Sequence, residues 1–277
     1  MLRTESIHYE HDITKFQLNN ISINIKQGEI VSLIGPNGSG KSTLLRVISQ
    51  LLKSSSGEVY LDEKNVRQMK KREIATTLTM LPQMNNHQLD LTVRELVEFG
   101  RHPHNKNNLK LTKEDQEIVE WALEVTRLKP LEHRLLPTMS GGERQRAWIA
   151  MAVAQHPKVL LLDEPTTFLD IAHQLEVMEL VRELNEKYNM TVVMVLHDIN
   201  QAAQYSNRLI VLKRGTIYYD GSPQCVLCKE MFATIFEIEA DITLKSGRPV
   251  FTPIRKCSNH CTSQCINLND YKEKRKE

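Results

Sequence analysis

Residues 35–43 read Gly-Pro-Asn-Gly-Ser-Gly-Lys-Ser-Thr and fit the pattern G-x-x-x-x-G-K-S. The pattern lies between an apolar run at residues 30–34 and a helical apolar pattern at residues 44–52, as a strand-loop-helix phosphate site requires. Glycines let successive backbone N–H groups face an anion, and the helix adds the positive end of its dipole. Lys41 brings a full charge and Ser42 a hydroxyl for Mg²⁺, so a nucleoside triphosphate is the expected ligand. The predicted binding residues are Gly35, Pro36, Asn37, Gly38, Ser39, Gly40, Lys41, Ser42 and Thr43.

The composition is that of an ordinary globular protein. The chain has 277 residues, of which 40% are hydrophobic and 25% charged, with a formal net charge of +2. This charge gives no strong attraction to nucleic acid, which is not an expected partner. The longest apolar candidate, residues 147–162, is interrupted by polar residues at 155–158 and is not expected to span a bilayer. The first five residues lack the apolar core of a secretory signal, so we expect a cytosolic location.

Apolar runs with period-2 or helical spacing indicate the organisation of the chain. Runs at residues 30–34, 77–81, 159–162 and 192–196 predict buried parallel strands in a doubly wound α/β sheet. Alternating apolar residues at 21–25 and a strand pattern at 57–61 predict an antiparallel β flap beside the nucleotide. The pattern at 44–52 predicts a helix with a single buried apolar stripe, which includes Leu51.

The pattern changes to helices in the middle of the chain. Capping-box signals at Thr92, Thr112 and Ser140 open these helices. After the last core strand, residues 208–220 read as a hairpin. We expect four segments, which are the first part of the nucleotide-binding core (1–84), an inserted α-helical subdomain (85–156), the second part of the core (157–224) and a C-terminal extension (225–277).

A second acidic motif follows the run at residues 159–162. Asp163 and Glu164 come at the carboxyl end of a predicted buried strand, where open α/β sheets bind ligands. Asp163 with Ser42 could hold Mg²⁺, and Glu164 could orient the water that attacks the γ-phosphate and accept its proton. The alternative is a solvated pair of acids, which the neighbouring phosphate loop disfavours.

Two further side chains come at strand ends. Gln83 could reach the metal or the water, and His197 could contact the γ-phosphate. A lone histidine at a strand end is more often structural, so His197 depends on the pattern around it.

Residues 139–145 read Met-Ser-Gly-Gly-Glu-Arg-Gln. Ser140 and Glu143 form a capping box, so the segment could be only a capped helix start. Alternatively, Gly141 and Gly142 at a helix N-terminus make another anion site. One chain has a single triphosphate, so a second anion site makes sense if it closes on the nucleotide of another copy.

With these motifs in this order, residues 1–225 resemble the nucleotide-binding subunits of ATP-binding cassette transporters. The resemblance implies a P-loop NTPase (RecA-like) core, ATP and Mg²⁺ as cofactors, and a head-to-tail dimer that encloses two nucleotides. It makes residues 35–43 the Walker A loop, Asp163 the Walker B acid and residues 140–145 the signature that contacts the partner copy's nucleotide.

The same resemblance implies individual roles. Gln83 becomes the Q-loop residue, Glu164 the catalytic base and His197 the switch histidine, with Asp170 ending the D-loop at residues 167–170. Tyr9 would stack on adenine or serve only in packing. Phe168 replaces a usually smaller D-loop residue and is expected to alter how two copies touch.

Within the family, residues 81–83, 92–97 and 100–104 resemble importers of iron-siderophore, haem and vitamin B12 complexes. Residues 100–104, Gly-Arg-His-Pro-His, lie in the subdomain that receives the permease's coupling helix, and their alternative is an exposed helix-end turn. We expect an importer of an iron-siderophore complex, ahead of haem or cobalamin.

This importer would act at the cytoplasmic face of the membrane, with polytopic permease subunits and an extracytoplasmic substrate-binding protein. The rival is a soluble cassette ATPase of iron-sulfur cluster assembly. A P-loop kinase is a third class, which the signature argues against.

All five cysteines follow residue 224. If residues 257–265 are helical, Cys257, Cys261 and Cys265 line one face and could hold zinc or an iron-sulfur cluster. The fourth ligand would come from Cys225, Cys228 or His260. The alternative is a disordered tail that happens to carry thiols, because Ser258 and its polar neighbours are poor helix formers.

Overall fold

The computed structural model describes residues 1–11, 15–83, 89–104 and 110–257. The strands in these ranges are β1 (Leu2–Glu10), β2 (Gln17–Ile25), β3 (Ile30–Ile34), β4 (Ser56–Leu61), β5 (Lys64–Asn65), β6 (Leu78–Leu81), β7 (Val159–Asp163), β8 (Thr191–Val195), β9 (Arg208–Lys213), β10 (Thr216–Gly221), β11 (Ile238–Lys245) and β12 (Arg248–Lys256).

The α-helices in the same ranges are α1 (Lys41–Ile48), α2 (Lys71–Thr77), α3 (Val93–Phe99), α4 (Lys113–Val125), α5 (Gly141–Ala154), α6 (Ile171–Tyr188), α7 (Ile199–Tyr205), α8 (Pro223–Val226) and α9 (Lys229–Met231). Short 3-10 helices are Val66–Gln68, Lys129–Leu131 and Leu136–Thr138, and Phe232–Phe236 forms a short π-helix.

A six-stranded sheet in the order β10-β9-β3-β8-β7-β6 forms the centre of the molecule. Strands β9, β3, β8, β7 and β6 run parallel, and β10 pairs antiparallel with β9. β3, β7 and β8 are buried along their whole length, because α1 and a second sheet cover one face and α3, α5, α6 and α7 cover the other. The predicted doubly wound α/β core is confirmed, and each of its predicted strands ends within one residue of the observed strand.

The second sheet is antiparallel and has the order β2-β1-β4-β5. Ile21, Ile23 and Ile25 are buried in β2, while the polar residues between them are exposed. The sheet packs over α1 through these apolar residues. The predicted antiparallel β flap is therefore confirmed.

Helix α1 ends earlier than the apolar pattern predicts. It stops at Ile48, and Gln50 adopts a left-handed backbone with φ 62°. Leu44 is fully buried, whereas Leu51 is 64% exposed. The prediction that Leu51 belongs to the buried stripe is wrong, because the left-handed residue turns the chain away from the core before that position.

Helices α3, α4 and α5 form the inserted helical part of the chain. The three predicted capping boxes are present, at Thr92, Thr112 and Ser140. Inside this bundle Arg101 Nε donates to Asp115 Oδ1 at 2.9 Å, and the two side chains are 4% and 6% exposed. Arg101 also donates to the carbonyl of Ala154 at 2.7 Å, which ties three elements together.

The segment 100–104 is thus partly internal. Arg101 is buried, His104 is half-buried with its Nε2 2.8 Å from the Gln155 carbonyl, and His102 is exposed. Arg101 itself therefore stabilises the bundle, and its side chain is too buried to contact a partner protein. The division of the chain into four segments, and any contact of residues 100–104 with a permease, stay predictions.

The C-terminal extension folds onto the core as the β11-β12 hairpin. Phe251 in β12 stacks on Phe232, with ring centroids 4.5 Å apart, and Phe232 is fully buried. Across the described ranges, no helix combines the length and the hydropathy that crossing a membrane requires.

Candidate nucleotide-binding site

The order of the parallel strands brings the predicted site residues to one edge of the sheet. β3 leads into the loop at residues 35–40, β7 ends at Asp163, β8 leads to His197 and β6 leads to Gln83. These four strands are consecutive neighbours and run parallel. Their carboxyl ends therefore open on the same side, where doubly wound sheets bind ligands.

Two glycines of the loop are required by close contacts. A Cβ on Gly35 (φ 147°) would lie 2.0 Å from the Leu212 carbonyl oxygen, and one on Gly40 (φ 101°) would lie 2.6 Å from Phe16 Cζ. Both φ values are in a region that L side chains rarely adopt. The loop conformation predicted from the sequence pattern thus depends on packing against β9 and the β flap.

Lys41 turns back into the loop that precedes it. Its Nζ donates to the carbonyls of Gly35 at 2.9 Å and Pro36 at 3.0 Å. Burial lowers the pKa of Lys41, although the nearby charges of Glu164 and Asp163 oppose the shift. An ammonium has three N–H donors, so one remains for a phosphate oxygen.

Ser42 and Asp163 meet across the site. Ser42 Oγ donates to Asp163 Oδ1 at 2.6 Å. Asp163 Oδ2 is buried and accepts no hydrogen bond from the described residues, and burial raises the pKa of this carboxyl. A hydroxyl with a carboxylate oxygen that lacks a partner is a hard-oxygen donor set, so these residues fit Mg²⁺.

Glu164 is held by three side chains. Gln83 Nε2 donates to its Oε2 at 2.8 Å, Thr167 Oγ1 donates to the same oxygen at 3.1 Å, and His197 Nε2 lies 2.6 Å from Oε1. Glu164 also has φ 55°, an uncommon value for a non-glycine residue. The sequence placed Thr167 only in a loop, although its position one turn after Glu164 could have signalled the contact.

The signature residues and the D-loop pack against each other. Ser140 and Glu143 cap α5 reciprocally, and the space around Gly142 is filled by His173, which lies 1.9 Å from where a Cβ would be. Asp170 caps α6 by accepting from the His173 N–H at 2.9 Å, and this backbone hydrogen bond is the main cause that lowers the pKa of Asp170. Phe168 is 91% exposed beside them.

In the described residues, no hydrogen bond or ion pair joins the signature to the phosphate-binding loop of the same chain. The side chains of Ser140 and Glu143 contact each other, and Glu143 also pairs with Arg134. The anion site predicted at this helix start is therefore separate from the first.

Two partly buried aromatic residues, Tyr9 and Phe16, pack against the core beside α1. Tyr9 is half-buried in β1 of the flap, opposite Leu18 of β2, and packs against the apolar core. Its stacking on adenine stays a prediction. Phe16, which sequence reasoning missed, contacts the loop at Gly40, and no pattern in the sequence marks it because the contact is made only by folding.

The predicted thiol site has no support in the part of the chain that the structure describes. Cys257 is half-buried directly after β12, whereas Cys261, Cys265 and His260 lie outside the described residues. Among the described residues, no three His, Cys, Asp or Glu side chains are grouped as a metal site would need. Zinc or an iron-sulfur cluster stays an untested prediction.

A phosphate-binding loop, an acidic strand end and a glutamate held by three side chains at one edge of a parallel sheet define a P-loop nucleoside triphosphatase. Residues 18–167 match the model of the ABC transporter family. The chain belongs to this family and is one of its ATPases.

Several known proteins are similar to the chain over most of its length. It is 62% identical to the petrobactin import ATP-binding protein FpuC of Bacillus anthracis over 97% of this chain and 98% of that protein. It is 43% identical to the iron(3+)-hydroxamate import ATP-binding protein FhuC of Bacillus subtilis (strain 168), over 84% and 87% of the two chains. The dimeric post-hydrolysis structure of the ATP-binding cassette MJ0796 with ADP and Pi matches with a TM-score of 0.68 and 32% identity, over 80% of this chain and 98% of that one.

Proposed function

We propose that this protein is the ATP-hydrolysing subunit of an importer of iron-siderophore complexes. The main support is the 62% identity to the petrobactin import protein, which spans 97% of this chain. That match includes the helical subdomain and the C-terminal hairpin as well as the nucleotide site. A match limited to the nucleotide site would support ATP hydrolysis alone.

The site geometry supports a role for each residue. Lys41 and the loop N–H groups bind the phosphates, while Ser42 and Asp163 hold Mg²⁺, which when bound neutralises charge on the phosphates. Glu164 orients the attacking water and accepts its proton. Gln83 and His197 keep the Glu164 carboxylate in place, as their distances of 2.8 and 2.6 Å support.

A second copy completes the nucleotide site in this proposal. The signature helix start offers an exposed Ser140 and lies apart from the phosphate-binding loop of its own chain. Such an anion site is useful when it closes on the nucleotide of another copy, with Ser140 and Gly142 facing the γ-phosphate. The similar ATP-binding cassette MJ0796 is a dimer with ADP and Pi bound, which supports the involvement of a second copy.

A groove between the core and the helical subdomain is our candidate for the permease contact. Leu51, Lys71, Ile74, Met80 and Gln155 are among its lining residues. Leu51 is 64% exposed there, so its apolar side chain is accessible to a partner. Docking of a polytopic permease at this groove would place the protein on the cytoplasmic face of the membrane.

Capture of the partner tests the transport part of the proposal. Tagged Glu164→Gln protein with ATP is used to retain partners from detergent-solubilised membranes of its own cells, and retained proteins are identified by mass spectrometry. Recovery of a polytopic permease supports the importer. Recovery of soluble partners alone contradicts it and favours iron-sulfur cluster assembly.

Growth tests the substrate. A strain lacking this chain is complemented with the native protein or with Glu164→Gln and supplied with one iron source at a time, either ferric petrobactin, a ferric hydroxamate or haem. We expect only the native protein to restore growth on a ferric siderophore. Restored growth on haem alone would show that the transported substrate is haem.

A further inference from the structure

Helix α7 begins at Ile199, two residues after His197. Asp198 is its N-cap and accepts a hydrogen bond from the Gln201 N–H at 3.0 Å. His197 therefore lies between the end of β8 and the first turn of α7, so the position of that turn affects where His197 lies relative to Glu164. What supports that turn also supports the His197 to Glu164 contact.

One side chain of this first turn, Asn200, binds the C-terminal hairpin. Asn200 Oδ1 accepts from the Phe251 N–H at 2.9 Å, and Asn200 Nδ2 donates to the Phe251 carbonyl at 3.2 Å. The amide thus binds both backbone groups of a single residue in β12. Two simultaneous bonds fix the orientation of the helix turn as well as its distance from the strand.

The hairpin also holds the other end of α7. Arg248 Nη1 donates to the carbonyl of Ser206 at 2.9 Å and of Ala203 at 3.4 Å. A cation that binds the last carbonyls of a helix satisfies groups that have no partner within the helix. The stacking of Phe251 on the buried Phe232 anchors the hairpin itself in the core.

A further pair of amides connects α7 to the D-loop. Gln201 Nε2 donates to Gln174 Oε1 at 2.7 Å, and Gln174 Nε2 donates to the Leu169 carbonyl at 2.9 Å. A shift of α7 would therefore move His197 and disturb the D-loop together.

We propose that the C-terminal hairpin positions His197 against Glu164 through α7, and that Asn200 is the positioning residue that makes the connection. This inference rests on the proposed role of His197 in ATP hydrolysis. Among the described residues, Asn200 forms no hydrogen bond to the phosphate-binding loop or to Glu164, and its side-chain bonds go to Phe251. We assign its effect on hydrolysis to His197, and a route through the D-loop would appear as losses that multiply in a double variant with His197→Ala. Nucleotide binding by the loop should not depend on it.

The test compares Asn200→Ala with Gln224→Ala in the full-length protein. Gln224 is a matched control, because its amide also donates to a hairpin carbonyl, that of Gly247 at 3.2 Å, and in the described part of the chain it forms no hydrogen bond to α7. We expect Asn200→Ala to lower the kcat of ATP hydrolysis about tenfold and leave KM within about twofold, since a displaced catalytic group reduces rate without removing substrate contacts. Gln224→Ala should keep the native kcat.

A second readout reports His197 directly. The ring ¹H–¹³C resonance of His197, assigned by its loss in His197→Ala, should shift in Asn200→Ala and not in Gln224→Ala. Asn200→Asp keeps the acceptor for the Phe251 N–H and should fall between native protein and Asn200→Ala in kcat. It serves as the test variant if Asn200→Ala does not fold.

A double variant separates failure of this inference from failure of the proposed site. If His197→Ala has native kcat, the role proposed for His197 is wrong. If His197→Ala lowers kcat, adding Asn200→Ala should lower it no further, because both changes act on the same contact. The inference is overturned if Asn200→Ala has native kcat, if Gln224→Ala lowers kcat equally, or if the losses multiply in the double variant.

Discussion

His197 Nε2 lies 2.6 Å from Glu164 Oε1. The two residues follow the neighbouring parallel strands β7 and β8, so the contact is a product of sheet order. Because Gln83 holds the other carboxylate oxygen, the three side chains act as one unit. Variants within a unit of this kind are strongly non-additive.

Replacing Glu164 tests that unit at its centre. Glu164→Gln should lower ATP turnover by about 10²–10⁴-fold, since the amide cannot accept the proton of water. Binding of ATP should persist because Lys41 and the loop are unchanged. Steady-state hydrolysis and fluorescent-nucleotide titration measure the two effects. The control Glu230→Gln, at an exposed position, should have the native turnover and the native affinity for ATP. Native turnover in Glu164→Gln would show that Glu164 is not the catalytic base.

Replacing Lys41 should weaken the binding of ATP. Lys41→Ala removes a charge-assisted contact worth about 1.5–3 kcal/mol, which corresponds to about 10–100-fold weaker ATP binding. Equilibrium titration with a fluorescent ATP analogue measures this change. Lys53→Ala, which is exposed, is the control. Equal affinity in Lys41→Ala and native protein would contradict the site.

The buried pair Arg101–Asp115 should dominate the stability of the helical subdomain. Asp115→Asn leaves the Arg101 guanidinium buried without its counter-ion, which costs about 3–5 kcal/mol. Urea unfolding at pH 7 measures the loss. Glu114→Gln, the exposed neighbour in the same helix, should change stability by less than about 0.5 kcal/mol.

The same pair predicts a pH dependence. Burial raises the pKa of Asp115, but hydrogen bonds from Thr112 and Arg101 outweigh it and lower the pKa below its ordinary 3.8. A lowered carboxyl pKa adds stability above the ordinary value, and this stability is lost as pH falls through the lowered one. The difference in unfolding free energy between native protein and Asp115→Asn should therefore be constant from pH 7 to 5 and shrink below pH 3.8. A difference that grows in acid would contradict the assignment.

Tyr205 links α7 to α6. Its hydroxyl donates to Glu179 Oε1 at 2.9 Å, and burial, followed by this hydrogen bond, raises the pKa of Tyr205 to about 12. Tyr205→Phe should cost about 1–2 kcal/mol in the free energy of unfolding. A phenol with a raised pKa stabilises fully below its ordinary 10, and this effect is lost as pH rises through about 12.

Thermal or urea unfolding of Tyr205→Phe should therefore show a constant deficit between pH 7 and 9 that shrinks above about pH 10. Tyr218→Phe, with an exposed ring, should show no deficit. A deficit that increases in alkali would mean that the hydroxyl is not held in its neutral form.

Leu51 tests the proposed permease groove. Leu51→Ser should change neither the free energy of unfolding by more than about 0.5 kcal/mol nor basal ATPase activity, because the side chain is exposed and remote from the site. It should lower the amount of permease captured by Glu164→Gln protein. Leu244→Ser, which replaces a 72% exposed leucine on the hairpin, is the control, and equal capture by both would exclude Leu51 from the contact.

Much of the nucleotide site could be predicted because its signals are local. The G-x-x-x-x-G-K-S loop needs glycines at defined positions, the capping boxes join residues three apart, and buried parallel strands read as apolar runs. The carboxyl-end rule for parallel sheets then predicted that Gln83, Asp163, Glu164 and His197 lie on one side. For this set of residues the structure agrees with the sequence.

Tertiary packing decided the rest. Residues 100–104 are predicted to lie in the subdomain that contacts the permease, and within them Arg101 is buried with Asp115. Leu51 is predicted to lie in the core and is exposed. The contacts of Phe16 with the loop and of Asn200 in α7 with the hairpin had no sequence signal, because each contact joins positions far apart in the chain. Local propensity and periodicity determine which elements form. Only the folded packing decides which side chain fills a given space and which distant backbone group it binds.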